Sequence, residues 1–122
     1  MKKILLVDDS PSVRQQVRLA LTEAGYPVVE ANDGLDGLAK LAATPDVGLI
    51  ISDINMPRMN GLDMVEKVKA DAKNLTLPVL MLTSEGQPAL IERAKKAGVK
   101  GWVVKPFKAD MLLAAVKKLL PN

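Results

Sequence analysis

The sequence predicts an α/β fold in which five parallel strands form a doubly wound sheet with five helices packed on its two faces. Short apolar runs alternate strictly with longer segments whose apolar residues recur at helical spacing. Several of the apolar runs are continuous, which is typical of strands covered on both faces. The connections are short, and right-handed crossovers between parallel strands then place a ligand crevice at the carboxyl ends of the strands.

Each predicted strand is one apolar run bounded by polar or turn residues. The first, third and fourth runs are the most continuous, so we expect both of their faces to be covered. The second run is short and contains Glu30, which favours a place at an edge of the sheet. The five predicted strands are Lys3–Val7, Val28–Ala31, Val47–Ser52, Val79–Thr83 and Gly101–Val104.

Segments of helical period follow each strand. The first of them is the best marked, because Ser10 is a suitable N-cap, Pro11 suits the first helical position and Gly25 can end the helix. The five predicted helices are Pro11–Ala24, Gly34–Ala43, Leu62–Ala72, Pro88–Ala97 and Ala109–Leu120. This alternation leaves no room for a linker or a repeat, so we expect a single domain over residues 1–122.

The composition excludes several kinds of site. The 122 residues include no cysteine and no histidine, which removes disulfides, zinc sites of the Cys/His type and Ser-His-Asp triads. A bound metal would therefore be a hard cation with oxygen ligands. The eight glycines form neither a dinucleotide-binding motif nor a Walker loop, and three aromatic residues are too few for a base-stacking platform.

No apolar stretch has the length of a secretion signal or a membrane span. The run that begins at Ile4 ends at Asp8, and the run that begins at Val47 ends at Ser52. A signal peptide needs about 7 to 15 apolar residues and a transmembrane helix about 18 or more. We therefore expect a cytoplasmic protein that does not interact with a membrane.

Polar residues follow the predicted strands where their carboxyl ends would meet at one edge of the sheet. They are Asp8 and Asp9 after the first strand, Asp53 after the third, Thr83 and Ser84 at the end of the fourth, and Lys105 after the fifth. Each of them alone fits a simpler interpretation, such as a helix-capping carboxylate or a surface lysine. Their convergence on one edge favours a functional site.

Three carboxylates at one edge would repel one another, and a divalent cation would relieve that repulsion. Magnesium is the best match to a ligand set made only of oxygen atoms. A phosphate could complete the coordination, pair with Lys105 and accept a hydrogen bond from the Thr83 hydroxyl. The residues therefore predict a magnesium-dependent site that binds a phosphoryl group.

Four sequence blocks resemble the signature motifs of two-component response-regulator receiver domains: Val7-Asp8-Asp9-Ser10, Ile51 through Gly61, Leu82-Thr83-Ser84 and Val104-Lys105-Pro106-Phe107. The resemblance spans the chain and is closest to the stand-alone, CheY-like chemotaxis type. It implies a flavodoxin-like fold with strand order 2-1-3-4-5 and no output domain. It also implies a cis Lys105–Pro106 bond, although the sequence by itself fits either isomer.

The resemblance assigns a role to each residue of the edge. Asp53 would be the phosphoacceptor, attacking a phosphohistidine on a sensor histidine kinase. Lys105 would neutralise the phosphate, Thr83 would move toward it, and Ser84 would bind it as well. The implied magnesium ligands are the carboxylates of Asp9 and Asp53, the main-chain carbonyl of Asn55, and Asp8 acting largely through water.

The resemblance further implies a switch and a short-lived signal. Trp102 occupies the position of an aromatic residue that follows the threonine inward, although that residue is usually Tyr or Phe, and a buried indole N–H requires a hydrogen-bond partner. Trp102 could also be a fixed surface anchor. Asn55 and Glu85 occupy positions that influence how water reaches the acyl phosphate, and this pair resembles that of regulators that dephosphorylate rapidly.

The charge is unevenly distributed. The net charge is +3, but residues 86–122 carry eight cations and two anions, whereas residues 1–85 are net negative. The excess lies on or beside the predicted fourth helix, fifth strand and fifth helix, which form the output face in the family. This charge favours acidic partners. The resemblance implies that the partner is a flagellar motor switch protein or a chemotaxis kinase, and we expect a monomeric chain. Apart from Lys105, seven of these cations lie on or beside that face: Arg93, Lys95, Lys96, Lys100, Lys108, Lys117 and Lys118.

Three alternatives remain at the level of sequence. A phosphorelay intermediate or phosphate sink would use the same site without contacting a motor. A phosphatase with Asp53 as its nucleophile is disfavoured, because its second aspartate would be expected where Asn55 stands. Nucleic-acid binding through the lysine-rich helices is disfavoured by the acidic first part of the chain and by the lack of a recognition motif.

Overall fold

The computed structural model describes residues 2–120, which alternate five strands and five α-helices. A short 3₁₀ helix, Ala72–Asn74, lies between the third helix and the fourth strand. All five strands have the predicted bounds. The elements are β1 (Lys3–Val7), α1 (Pro11–Glu23), β2 (Val28–Ala31), α2 (Gly34–Ala43), β3 (Val47–Ser52), α3 (Gly61–Ala70), β4 (Val79–Thr83), α4 (Pro88–Ala97), β5 (Gly101–Val104) and α5 (Ala109–Leu119).

The strands form one parallel sheet in the order β2-β1-β3-β4-β5, which confirms the predicted fold class. Strand β2 lies at an edge, as its short length and Glu30 indicated. Strand β1 is central, and its Leu5 is in register with Val29 of β2 on one side and Ile50 of β3 on the other. The acidic residues that follow β1 and β3 are therefore neighbours.

Helices α2 and α4 have the predicted bounds, and the other three helices differ from the prediction by one or two residues at an end. Helix α3 begins at Gly61 instead of Leu62, because the Asn60 side chain accepts a hydrogen bond from the Asp63 N–H and caps the helix. It ends at Ala70, two residues earlier than predicted, because Asp71 is extended and its side chain caps the 3₁₀ helix. Helices α1 and α5 each end one residue earlier than predicted.

The core has two apolar layers, one on each face of the sheet. Alternate residues of β1 point to opposite layers, so that Leu5 packs with residues of α2, α3 and α4, while Ile4 packs with residues of α1 and α5. Both side chains are fully buried. Burial of each such aliphatic side chain contributes about 1.5–3 kcal/mol, so the sheet holds its carboxyl edge on a rigid base. No helix within residues 2–120 is long and apolar enough to span a membrane.

An ion pair joins the two loops that follow β2 and β3. The Arg58 guanidinium donates from Nε to Asp33 Oδ2 at 2.6 Å and from Nη2 to Asp33 Oδ1 at 3.0 Å. Asp33 is buried and also caps α2, since its Oδ1 accepts a hydrogen bond from the Asp36 N–H at 2.8 Å. The hydrogen bonds from Arg58, and next that from Asp36, lower the pKa of Asp33.

This lowered pKa predicts a pH-dependent contribution to stability. A carboxylate whose pKa is lower in the folded state than in the unfolded state stabilises the fold above the unfolded-state pKa, and that stability is lost as the pH falls through the folded-state pKa. The difference in unfolding free energy between wild type and Asp33→Asn should therefore be positive at pH 7 and should shrink as the pH falls below the ordinary value of 3.8. Urea unfolding of both proteins across this range measures it.

Glu92→Gln is the control for this measurement, because Glu92 is exposed and forms no salt bridge within residues 2–120. The difference in unfolding free energy between wild type and Glu92→Gln should be small at every pH. A wild-type advantage over Asp33→Asn that stays constant from pH 7 to pH 3 would contradict the assignment of this stability to the Asp33 carboxylate.

Candidate functional site

The carboxyl ends of four strands bring together the residues that the sequence predicted for one edge. Asp8 follows β1, Asp53 follows β3, Lys105 follows β5, and Thr83 is the last residue of β4. Main-chain hydrogen bonds join these ends, since the Asp53 N–H donates to the Val7 carbonyl and the Lys105 N–H to the Thr83 carbonyl, both at 3.0 Å. The parallel pairing of the strands therefore fixes the main-chain positions from which the candidate functional side chains project.

Lys105 is the cation of this edge. Its Nζ lies 2.7 Å from Asp8 Oδ2 and 2.9 Å from Asp53 Oδ2, so one ammonium donates to two carboxylates. Burial acts to lower the pKa of Lys105, but the hydrogen bonds to Asp8 and Asp53 outweigh this effect and raise it. Lys105 therefore stays protonated at neutral pH. The Lys105–Pro106 peptide bond is cis.

Asp53 is held by its own main chain as well as by Lys105. Its Oδ1 accepts a hydrogen bond from the Ile54 N–H at 2.7 Å, and its carbonyl accepts one from the Ser52 hydroxyl at 2.7 Å. The residue is only 9% exposed. The carboxylate thus has a fixed direction and little exposed surface.

Asp8 is fixed in the same manner. Its Oδ1 accepts a hydrogen bond from the Ser10 N–H at 2.9 Å, and its main-chain carbonyl accepts one from Arg14 Nη1 at 2.5 Å. Sequence analysis missed Arg14, because an arginine in the first turns of a helix gives no sign of which carbonyl it will reach. Asp9 differs from Asp8, since it is exposed.

The three carboxylates could hold a divalent cation. Asp8, Asp9 and Asp53 each offer an oxygen, and these atoms all lie within 4.8 Å of one another. Lys105 supplies one positive charge against three negative charges, so the edge is left with an excess of negative charge. A compact set of carboxylate oxygens, in a chain without histidine or cysteine, is the donor chemistry that magnesium prefers. The residues therefore fit the predicted ion.

Gly61, the last residue of the Ile51–Gly61 sequence block, lies against the main chain of Asp53. An added Cβ would lie 1.9 Å from the carbonyl oxygen of Asp53. Its N–H also donates to the Ile54 carbonyl at 2.8 Å. Only glycine allows the start of α3 to approach the main chain of Asp53 this closely.

The remaining predicted residues lie around the mouth of the site. Thr83 is fully buried, and its hydroxyl oxygen accepts a hydrogen bond from the Glu85 N–H at 3.1 Å. The Asn55 side-chain amide donates to the Glu85 carboxylate, so the two residues predicted to influence water access contact each other. Ser84 is exposed and forms no hydrogen bond with Asp53 or Lys105 within the described part of the chain.

Trp102 lies on β5, in register with Met81 of β4, and is half-buried against the core. Its indole Nε1 is buried and has no hydrogen-bond partner among residues 2–120. A buried N–H without a hydrogen-bond partner is rare. The sequence predicted this problem, because an indole at this position requires a partner for its N–H when it is buried. Whether Trp102 rotates stays a prediction.

One of the seven cations predicted for the output face, Arg93, pairs with another helix instead. Its guanidinium turns toward α3, where it donates to Glu66 and to Asp63 Oδ1 at 2.6 Å. Hydrogen bonding with Arg93 lowers the pKa of Glu66, so both partners stay charged and offset each other. The six exposed cations that remain on or beside this face are Lys95, Lys96, Lys100, Lys108, Lys117 and Lys118.

Known proteins resemble this chain in both sequence and structure. Chemotaxis protein CheY1 of Helicobacter pylori is 41% identical over 119 residues, which are 97% of this chain and 96% of that protein. A chemotaxis protein CheY homolog of Campylobacter jejuni is 40% identical over 119 residues, which are 97% of this chain and 92% of that protein.

Two solved structures are similarly close. Chemotaxis protein CheY4 of Vibrio cholerae has a TM-score of 0.92 at 42% identity and covers 98% of this chain and 99% of its own. The CheX-CheY-BeF3-Mg complex of Borrelia burgdorferi has a TM-score of 0.91 at 26% identity and covers 99% of this chain and 90% of its own. The model of the response regulator receiver domain matches residues 4–117. With nearly its whole length matched, the chain belongs to the response regulator receiver domain family.

Proposed function

We propose that this chain is a chemotaxis response regulator that accepts a phosphoryl group from the phosphohistidine of a sensor histidine kinase onto Asp53, in a magnesium-dependent reaction. One observation carries the proposal: the Lys105 ammonium lies 2.9 Å from Asp53 Oδ2, beside three carboxylates whose oxygens lie within 4.8 Å of one another. Receiver domains are signalling proteins, so Asp53 acts here as a phosphoacceptor and not as part of an enzyme with a separate substrate.

The proposed reaction needs little covalent machinery. A carboxylate oxygen of Asp53 attacks phosphorus while the P–N bond to the donor histidine breaks, and the imidazole leaves with the bonding electron pair and takes up a proton. The product on this chain is an acyl phosphate. Phosphoryl transfer passes through a loose transition state, so positioning and charge neutralisation provide most of the catalysis. The protonated Lys105 provides one positive charge, and the Thr83 hydroxyl can donate to a phosphate oxygen.

Four groups of the chain would hold magnesium. They are the carboxylates of Asp9 and Asp53, the main-chain carbonyl of Asn55, and Asp8 acting largely through water. The bound ion would supply further positive charge to the oxygens of the transferred phosphoryl group. The Borrelia burgdorferi relative supports this part of the proposal, since its structure contains Mg and BeF3 together with CheX.

Phosphorylation would be communicated from Thr83 to Trp102 and then to the face formed by α4, β5 and α5. Thr83 and Trp102 are on neighbouring strands, and Trp102 packs near Ala94 of α4. The exposed lysines of this face favour acidic partners, because complementary charge raises association rates and selects among partners. A flagellar motor switch protein is the proposed target, as the chemotaxis names of the relatives support.

Phosphorylation of Asp53 is tested by intact-mass spectrometry after incubation with acetyl phosphate. We expect wild type to gain the mass of one phosphoryl group when MgCl2 is present and none when EDTA is present. Asp53→Asn should gain none in either condition, because an amide cannot form the acyl phosphate. Asp110→Asn is a matched control, because Asp110 is exposed on α5, and it should behave as wild type does. An adduct on Asp53→Asn, or no adduct on wild type sampled within seconds, would overturn the proposal.

A short-lived acyl phosphate is the second expectation for this site. The purified phosphoprotein, freed of acetyl phosphate and kept in MgCl2, should lose its phosphoryl group faster than the same phosphoprotein unfolded in urea, because only the folded site orients water near Asn55 and Glu85. Intact mass measured over time gives both rates. A folded phosphoprotein that persists for hours, or that decays no faster than the unfolded one, would show that this Asn55–Glu85 arrangement does not promote hydrolysis.

A further inference from the structure

The loop that connects β3 to α3, residues 53–60, is clamped from the side by the Asp33–Arg58 ion pair. Two parallel hydrogen bonds, of 2.6 and 3.0 Å, join the planar guanidinium to the carboxylate. The Asp33 side chain is only 5% exposed, although the Arg58 side chain is 58% exposed. A forked contact of this type fixes direction as well as distance, which a lysine at the same position could not do.

The backbone of Arg58 is in an unusual conformation. Its φ is +64°, and it is the only non-glycine residue between residues 2 and 120 with a positive φ. Side chains with a Cβ rarely adopt this region, and such a conformation persists only where the surroundings impose it. The pair with Asp33 is the contact that holds the Arg58 side chain in place.

A second contact lies next to the pair. The Gly34 N–H donates to the Met59 carbonyl at 3.0 Å, and an added Cβ on Gly34 would lie 2.6 Å from that carbonyl oxygen. The β3–α3 loop and the β2–α2 loop therefore touch through their main chains beside the ion pair. This hydrogen bond gives a direct probe of the clamp, because the Gly34 amide proton exchanges with solvent only when the contact opens.

Both ends of the β3–α3 loop are fixed without Arg58. Asp53 is held at the sheet by Val7, and the Gly61 N–H binds the Ile54 carbonyl. The segment between them contains Asn55, and the one ion pair on that segment, within residues 2–120, is that of Arg58. Besides this pair, the segment is held by the Asn55–Glu85 side-chain contact and by the Gly34–Met59 main-chain bond. The pair is thus the one charged contact of the segment, and its partner Asp33 is not part of the carboxylate cluster.

We propose that Arg58 and Asp33 are a positioning pair for the cation site, which hold the β3–α3 loop so that the main-chain carbonyl of Asn55 faces the ion beside Asp53. This inference rests on the proposed function, which makes that carbonyl a ligand. Neither member of the pair binds the ion. Their effect is on the fraction of molecules whose loop is already in the binding conformation, and the apparent dissociation constant rises in inverse proportion to that fraction.

The test is the binding of MgCl2 alone to the full chain, without a phosphoryl donor, followed by isothermal calorimetry. Arg58→Gly removes the pair but keeps a residue that adopts a positive φ without strain. We expect it to raise the dissociation constant for magnesium about threefold to tenfold, since the unclamped loop is competent only part of the time. Amide exchange at Gly34 should become faster by at least that factor, because exchange follows the open fraction, which is small in a wild-type loop that is mostly closed. Arg58→Lys should give intermediate values, because it keeps the charge without the fork.

Two further variants separate positioning from general damage. Asp33→Asn keeps an N-cap oxygen for α2 but loses the carboxylate, so its dissociation constant for magnesium should match that of Arg58→Gly. The double variant should bind magnesium no more weakly than either single variant. Arg93→Ala removes another arginine with two hydrogen-bonded carboxylate partners, which lie on α3 and not on this loop, and should leave magnesium binding unchanged.

Equal magnesium affinity in wild type and Arg58→Gly would overturn the inference, and so would an equal loss in Arg93→Ala. Either result, together with magnesium-dependent phosphorylation of wild-type Asp53, would leave the proposed function intact. A wild type that binds no magnesium would instead remove the proposed function, and the positioning role with it.

Discussion

The mutual repulsion of three carboxylates is the constraint on which this structure depends. Two unit charges about 4 Å apart repel by about 1 kcal/mol in water and about 4 kcal/mol at the lower effective dielectric near a protein surface. Asp8, Asp9 and Asp53 place oxygens within 4.8 Å of one another, and Asp8 is almost fully buried. Lys105 offsets part of this repulsion by donating to Asp8 and Asp53. The remaining repulsion favours a bound cation, and in the proposed function that cation would accompany the phosphoryl group.

The fold keeps these charges close together because buried, apolar strands fix the positions of the residues that follow them. Central strands β1 and β3 are buried on both faces, so the residues that follow them leave the sheet at neighbouring points. Asp53, the proposed phosphoacceptor, is fixed by its main-chain bond to Val7 and by the close approach of Gly61 to its carbonyl. The stability that aliphatic packing supplies thus offsets the unfavourable electrostatics of the carboxylate cluster at this edge.

The sequence pattern predicted the strands and their convergence at one edge, because strand periodicity and the handedness of crossovers are local or topological properties. The strand order was predicted from the resemblance to receiver domains. The sequence did not predict the contacts that long side chains make. Arg14 reaches the Asp8 carbonyl, Arg58 reaches Asp33, and Arg93 turns from the expected output face toward α3. Each partner is set by tertiary packing, and the end of α3 was likewise decided by a side-chain cap at Asp71 that competes with helix propensity.

The most direct test of this account is the unfolding free energy of wild type and Asp9→Asn in urea, measured with increasing MgCl2 at constant ionic strength. Asp9 has no salt bridge within residues 2–120 to lose, so in EDTA the variant should be more stable than wild type. Wild type should gain stability as magnesium binds its folded state, and the variant should gain less. A wild-type unfolding free energy that does not change with magnesium would contradict the claim that carboxylate repulsion governs this site. An Asp9→Asn variant that is less stable than wild type in EDTA would contradict it as well.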